Sequence, residues 1–281
     1  MIRNRKSVKL GCCASITQYD EVAAAGFDYI ELPGNVIARL SAEAFGQWER
    51  TVRCGKIPCM GLNAALCPEV KICGPSFSES AVEQYAHLLC DRAACLGASK
   101  IGIGSPASRT LPQGFPTDTA WQQAERFLKI FCAAALPHGI EILWEPLNPE
   151  ETGFGVDSLE SAKHIAKLRA DGVSNLGLVA DLYHMARKGE DAGVLQRMIP
   201  YVGHVHIASA LGGRGYVTES DAATMKPLLR SCAGRTEGIS AETFSGTICA
   251  EGAGFVILLR RWLREIKSGE ARPERTTAFR N

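Results

Sequence analysis

Short apolar runs alternate with polar loops and with longer stretches of helical spacing along most of the chain. The apolar runs at residues 8–14, 29–32, 59–63, 100–103, 141–145, 176–181, 202–207 and 239–243 have the length of strands. Helical spacing falls at 18–25, where Gly26 supplies a C-terminal stop, and at 42–54, 79–96, 119–136 and 255–267. Residues 104–115, with Pro106, Pro112 and Gly114, read as a polar loop. After Ser268 apolar residues thin out and the tail is expected to fray. Strand and helix alternating in this way predict parallel strands joined by crossover helices. Eight such units close into an α/β (β/α)8 TIM barrel. The alternative is an open doubly wound sheet, but no G-x-G-x-x-G follows the first strand. No Pro-rich, Gly/Ser-rich or single-charge linker interrupts the chain, so residues 1–281 are read as a single domain.

Composition narrows the picture. The 281 residues are 46% hydrophobic and 22% charged, which excludes global disorder and is ample for a large core. With 31 basic and 30 acidic residues the net charge is +1, without the basic excess of a protein built to hold nucleic acid. The eleven cysteines include no C-x-x-C pair and are read as reduced, mostly buried thiols, which fits a cytoplasmic protein. No apolar run reaches the ~18 residues of a membrane span, and the basic start, Met1 to Lys9, leads into no sustained apolar stretch.

Barrel enzymes carry their chemistry at the C-terminal ends of the strands. Strand five ends at Glu145 and strand six at Asp181; strand seven carries His204 and His206 on one face, and strand eight is followed by Glu242. Each residue alone has a plain explanation; Asp181, for instance, is placed to cap the next helix. Together, one per consecutive strand, they put three carboxylates and an imidazole on one rim. Carboxylates so placed repel one another in a low-dielectric interior unless a cation neutralises them. The mixed oxygen and nitrogen set suits Mn²⁺, Zn²⁺, Co²⁺ or Fe²⁺ better than Ca²⁺. His204, deeper on the same face, reads as a core residue or a support for His206.

The strings Glu145-Pro-Leu-Asn-Pro-Glu-Glu151, Asp181-Leu-Tyr-His184-Met, Gly203-His-Val-His206-Ile-Ala and Ser240-Ala-Glu242-Thr-Phe occur in this order. In them the chain resembles the sugar isomerase/epimerase superfamily of xylose-isomerase-like TIM barrels, its ketose 3-epimerase and hydroxypyruvate isomerase branches above all. The resemblance runs from Gly26-Phe-Asp-Tyr-Ile-Glu-Leu32 through Phe244. It implies one divalent ion, often Mn²⁺ with Co²⁺, Zn²⁺ or Mg²⁺ as alternatives, held by Glu145, Asp181, His206 and Glu242. It also implies that Glu145 and Glu242 move the proton through a metal-stabilised enediolate. Glu151 and His184 match positions that hold substrate hydroxyls, and Arg214 matches an arginine in the loop after strand seven. That loop departs from the family: Ser209-Ala-Leu-Gly-Gly213 stands where an acidic residue or an Asn-Arg turn is common.

The function expected is a metal-dependent isomerase or epimerase of a small carbohydrate, with no nucleic-acid or membrane partner and homo-oligomerisation left open. A related enolate-forming lyase or deglycosidase is one alternative. An apurinic-site endonuclease shares the barrel, but needs further histidines at the ends of strands three and four, where this chain has Leu62-Asn63-Ala64 and Ile103-Gly104-Ser105. A metal-free binding protein is the third.

Overall fold

The computed structural model describes residues 8–270. Eight parallel strands close into one barrel in chain order: β1 (Lys9–Cys13), β2 (Tyr29–Pro33), β3 (Cys59–Asn63), β4 (Lys100–Ile103), β5 (Glu141–Trp144), β6 (Leu176–Asp181), β7 (Val202–Ile207) and β8 (Gly238–Ala241). β8 pairs with β1, Ser240 opposite Gly11, so the ring has no edge and the open-sheet alternative falls. Helices Ala42–Cys54, Glu79–Cys95 and Thr117–Ala135 lie where the spacing predicts them to within two residues. The last helix, Ala253–Glu270, runs past the expected stop; the tail from 271 onward lies outside the described residues. Four helices whose bounds the sequence pattern did not give, Ser158–Ala170, Leu182–Lys188, Ala192–Met198 and Ala222–Cys232, complete the crossovers from β5 to β8.

Strand periodicity explains both faces of the wall. Ile30 and Leu32, Leu178 and Ala180, Val205 and Ile207, and Ile239 and Ala241 face outward and belong to the hydrophobic core. The alternate positions turn inward, where Tyr29, Leu143, Val179 and His204 are buried among glycines. A Cβ on Gly11 would collide with the ring of Tyr29, one on Gly238 with its hydroxyl end, and one on Gly177 or Gly203 with Leu143. Large and small residues thus alternate around the interior, and the barrel is packed solid below its mouth. The Tyr29 hydroxyl bonds Ser240 Oγ at 2.8 Å. All eleven cysteines are free, and seven of them are buried.

Gly11→Ala is expected to destabilise the fold by about 1–3 kcal/mol through overpacking against Tyr29. In a Tyr29→Leu background that penalty should shrink, because the colliding ring is gone. Denaturant midpoints of the two single variants and the double variant check this; an unchanged penalty would place the strain elsewhere.

Candidate metal centre and its surroundings

The mouth of the barrel is made by the first residues beyond the strands. Glu145 N still bonds the Ile103 carbonyl at 3.1 Å and Glu242 N the Ile207 carbonyl at 3.2 Å, so both glutamates are fixed by the ladder just above them. Asp181 ends β6, and His206 sits opposite it on β7. Glu145, Asp181, His206 and Glu242 are all buried and offer donor atoms that lie within 4.8 Å of one another. His206 Nδ1 stands 3.2 Å from Glu145 Oε1 and 3.6 Å from Glu242 Oε2. Asp181 fills both of the roles read for it: Oδ1 accepts from the backbone of Tyr183 at 2.7 Å and His184 at 3.4 Å, capping the helix, while Oδ2 faces the cluster.

Crowding shows in the charges. Burial, followed by the neighbouring Glu242, lifts the Glu145 carboxyl above the usual carboxylate range against the pull of His206. Burial alone would raise Glu242 as well, but His206 and Arg214 outweigh it and hold that carboxyl well below the usual range. Burial opposes a charge on His206, yet facing Cys13, Glu242 and Glu31 lift its imidazole well above the histidine range. The site therefore draws positive charge to itself. Three carboxylates and one imidazole converging from four adjacent strands match the donor chemistry of a divalent ion.

Arg214 crosses this cluster from the loop after β7. Its guanidinium lies 3.0 Å from Asp181 and 3.1 Å from Glu151, and also pairs with Glu242. The rings of Tyr183 and Phe244 flank it at 4.7 and 4.4 Å. His184 is fully buried; its Nδ1 accepts from Asn148 Nδ2 at 2.9 Å and its Nε2 is 3.4 Å from Asp181 Oδ2. Glu151 Oε1, half-buried, is 3.8 Å from His184 Nδ1. The structure thus brings Glu151, His184 and Arg214 into one group beside the four-residue cluster.

Other residues of the site carry weaker sequence signals. Asn63, at the end of β3, donates to Glu242 Oε1 at 3.1 Å. Glu31, on β2, lies under His206 and touches both histidines of β7. A charge inside the apolar string Phe27-Asp-Tyr-Ile-Glu-Leu32, in phase with Tyr29, was the available clue. Arg109 had none. It lies in the segment read as a polar loop, yet it is completely buried. Its guanidinium stacks 3.9 Å over Trp144 and donates to the carbonyls of Ile103 at 2.7 Å, Glu145 at 3.1 Å and Gly155 at 3.5 Å. Burial pushes its pKa down to about 9. Gly104 leaves space for the carboxylate above it: a Cβ there would collide with Glu145 Oε2.

Backbone strain gathers at the same end. The only non-glycine residues with left-handed φ among those described are Ala64 (42°), Ser105 (48°) and Arg214 (48°), in the loops after β3, β4 and β7. Such conformations cost on the order of 1 kcal/mol or more each and concentrate at functional sites.

The profile of the family described as xylose isomerase-like TIM barrel matches residues 19–237. The chain belongs to this family. Solved structures share its fold. L-ribulose 3-epimerase superposes with a TM-score of 0.76 at 16% identity, covering 96% of this chain and 99% of its own. D-allulose 3-epimerase from Methylomonas sp. gives 0.75 at 18% identity, with 92% and 98% covered. The 3-keto-D-glucoside 4-epimerase of E. coli gives 0.70 at 17%, with 92% and 100% covered. At such identities the likeness is one of fold. No curated protein matches the chain. Among the described residues, no helix is long and apolar enough to cross a membrane.

Arg109→Met is expected to take a donor from three buried carbonyls, leaving that of Ile103 only its bond from Glu145 N, and to destabilise the protein by about 3 kcal/mol. Arg109→Lys should recover only part of this, since one ammonium cannot span the three. Urea unfolding of both variants checks it; a neutral Arg109→Met would show that the carbonyls are satisfied without the guanidinium.

Proposed function

We propose that this protein is a divalent-metal-dependent isomerase or epimerase of a small carbohydrate. The observation that carries the reading is the buried Glu145–Asp181–His206–Glu242 cluster at the C-terminal mouth of the barrel. The fold shared with keto-sugar epimerases supports it. Asn63 and Gly104 stand where the nuclease alternative needs further imidazoles, which favours the carbohydrate reading.

Glu145, Asp181, Glu242 and His206 Nδ1 would hold the ion, with Mn²⁺ favoured and Co²⁺, Zn²⁺ or Mg²⁺ as alternatives. When bound, such an ion supplies Lewis-acid stabilisation of the oxyanion that forms as a C–H bond beside a carbonyl breaks. The chain's own part is to place the groups that move the proton. Glu145 and Glu242 rise from β5 and β8, and so reach the mouth from separate arcs of the ring. One removes the proton from carbon; the other returns one to the opposite face or to the neighbouring carbon. Each positioned group of this kind contributes about 10²–10⁴-fold. Glu151, His184 and Arg214 hold the substrate's hydroxyls and keep its carbon chain in register with the two glutamates. Tyr183 and Phe244 set the pose of Arg214 by stacking on its guanidinium.

Metal analysis of the purified protein, together with ketoses, sugar phosphates and keto-glycosides offered in deuterated water, tests the reading. One ion per chain and deuterium at the isomerised carbon are expected. Glu145→Gln and Glu242→Gln should each lower turnover at least ~10²-fold. Full activity in both variants, or conversion without C–H cleavage, would overturn the two-glutamate mechanism.

A second outcome follows from the crowded charges. In chelator, Glu145→Gln should raise the melting temperature, because it removes one of the mutually repelling carboxylates. The same variant should lose most of the stabilisation that Mn²⁺ gives the wild type. Calorimetric scans with and without Mn²⁺ read both effects; an equal Mn²⁺ response in the two proteins would exclude Glu145 as a ligand.

A further inference from the structure

Glu31 is buried beneath the mouth, and the chemistry proposed above makes no use of it. It arrives from β2, three strands round the ring from β7, and its carboxylate lies across the barrel interior. Gly61 on β3 makes room for it, since a Cβ there would stand only 3.2 Å from Glu31 Oε2. Both oxygens of this carboxylate have side-chain partners, two on Oε1 and one on Oε2. Oε1 accepts from His204 Nε2 at 2.6 Å and from Ser240 Oγ, which in turn is bonded to the Tyr29 hydroxyl at 2.8 Å. Oε2 faces His206 Nε2 at 3.3 Å.

An imidazole can give a lone pair to a cation from one nitrogen only while the proton sits on the other. His206 presents Nδ1 to Glu145 and Glu242 and Nε2 to Glu31. Carboxylates only accept, so with no cation each ring nitrogen of His206 faces an acceptor; with a cation among Glu145, Asp181 and Glu242, Nδ1 would give its lone pair to the ion and Nε2 would carry the hydrogen toward Glu31. Rotation of the Glu31 carboxylate is blocked, because His204 and Ser240 together occupy Oε1 and leave Oε2 to His206.

We infer that Glu31 is the positioning residue of the candidate metal centre: braced by His204 and Ser240, it holds His206 so that the bare Nδ1 faces Glu145, Asp181 and Glu242. This rests on the metal reading proposed above. Cys13, Glu31 and His206 also form a set with ligand-type atoms within 4.8 Å, Cys13 Sγ being 4.0 Å from His206 Nε2. Both oxygens of Glu31 are already committed, however, so the set acts as a brace and not as a second ion site. His204 contributes as the donor that locks the carboxylate, which accounts for two histidines two residues apart on one strand.

The test uses the full-length protein with Zn²⁺, a diamagnetic probe, and needs no substrate. Zn²⁺ affinity by competition with a chromophoric chelator should fall about 10- to 100-fold in Glu31→Gln, the usual effect of removing such a partner. Histidine ¹⁵N spectra of the Zn²⁺-loaded wild type should show His206 protonated at Nε2 and metal-shifted at Nδ1. Glu31→Gln should lose that single pattern, since an amide can donate as well as accept. A role confined to stability would lower the melting temperature and leave both Zn²⁺ readouts unchanged, and that result would overturn the inference. Failure of the wild type to bind Zn²⁺ would overturn the metal reading and the inference with it. Should Glu31→Gln not fold, the wild-type spectrum decides alone: a proton on Nδ1 with Zn²⁺ bound overturns the assignment.

Discussion

Glu145, Asp181 and Glu242 bring three carboxylates within 4.8 Å of one another and of His206, almost entirely shut away from water. Two like charges 4 Å apart repel by about 4 kcal/mol even at an effective dielectric of 20. That repulsion has to be met by positive charge, and two side chains supply some of it. The Arg214 guanidinium reaches Asp181 and Glu242 from above. His206 holds a proton more readily than an ordinary histidine. A divalent cation, as proposed above, would bring two charges to the point where the four side chains converge. Such an ion would be the most effective, because it could touch all four donors at once, whereas Arg214 pairs with only Asp181 and Glu242 among them.

A cluster of this kind survives only if the backbone cannot relax away from it. The closed ring supplies the rigidity: Glu145 and Glu242 remain bonded to the ladder through their amides, and Asp181 is tied by the helix it caps. Local strain is accepted at Ala64, Ser105 and Arg214, where the loops turn sharply to surround the mouth. The interior glycines serve the same end. Gly104 clears the Glu145 carboxylate and Gly61 the Glu31 carboxylate, so that two charged groups occupy volume other barrels fill with aliphatic side chains.

The eight strands were legible because their outward faces are apolar at every second residue, and because polar groups follow β5, β6 and β8. The same phase placed Glu145, Asp181, His206 and Glu242 on one rim. The helices beyond β5 were harder to delimit. Residues 182–198 break into two short helices at Gly189, and Ala222–Cys232 carries Pro227 within it. Arg109 was invisible for a different reason. Its partners are main-chain carbonyls from three separate segments and the face of Trp144, none of which leaves a trace in a local string. Glu31 lay between these cases. Its phase on β2 was readable, but its partners on β7 lie 173 and 175 positions away and became neighbours only once the ring closed.

The two glutamates of the proposed proton relay are held by opposite means. Glu242 is gripped by its side chain, with Asn63 on Oε1 and Arg214 and His206 on the Oε2 side. Glu145 has a single side-chain hydrogen-bond partner, His206, while its main chain is pinned by Arg109 at the carbonyl and by Ile103 at the amide. A carboxylate clamped at both oxygens is a fixed charge; one anchored mainly through its backbone keeps torsional freedom in its outer carbons. The arrangement therefore gives the mouth one carboxylate held at both oxygens and one held by a single side chain. That asymmetry suits a reaction in which a proton leaves from one position and returns at another, because the reach between the two positions has to be taken up by one of the groups. Arg109, itself fully buried, holds the Glu145 carbonyl in place on the strand without touching the carboxylate.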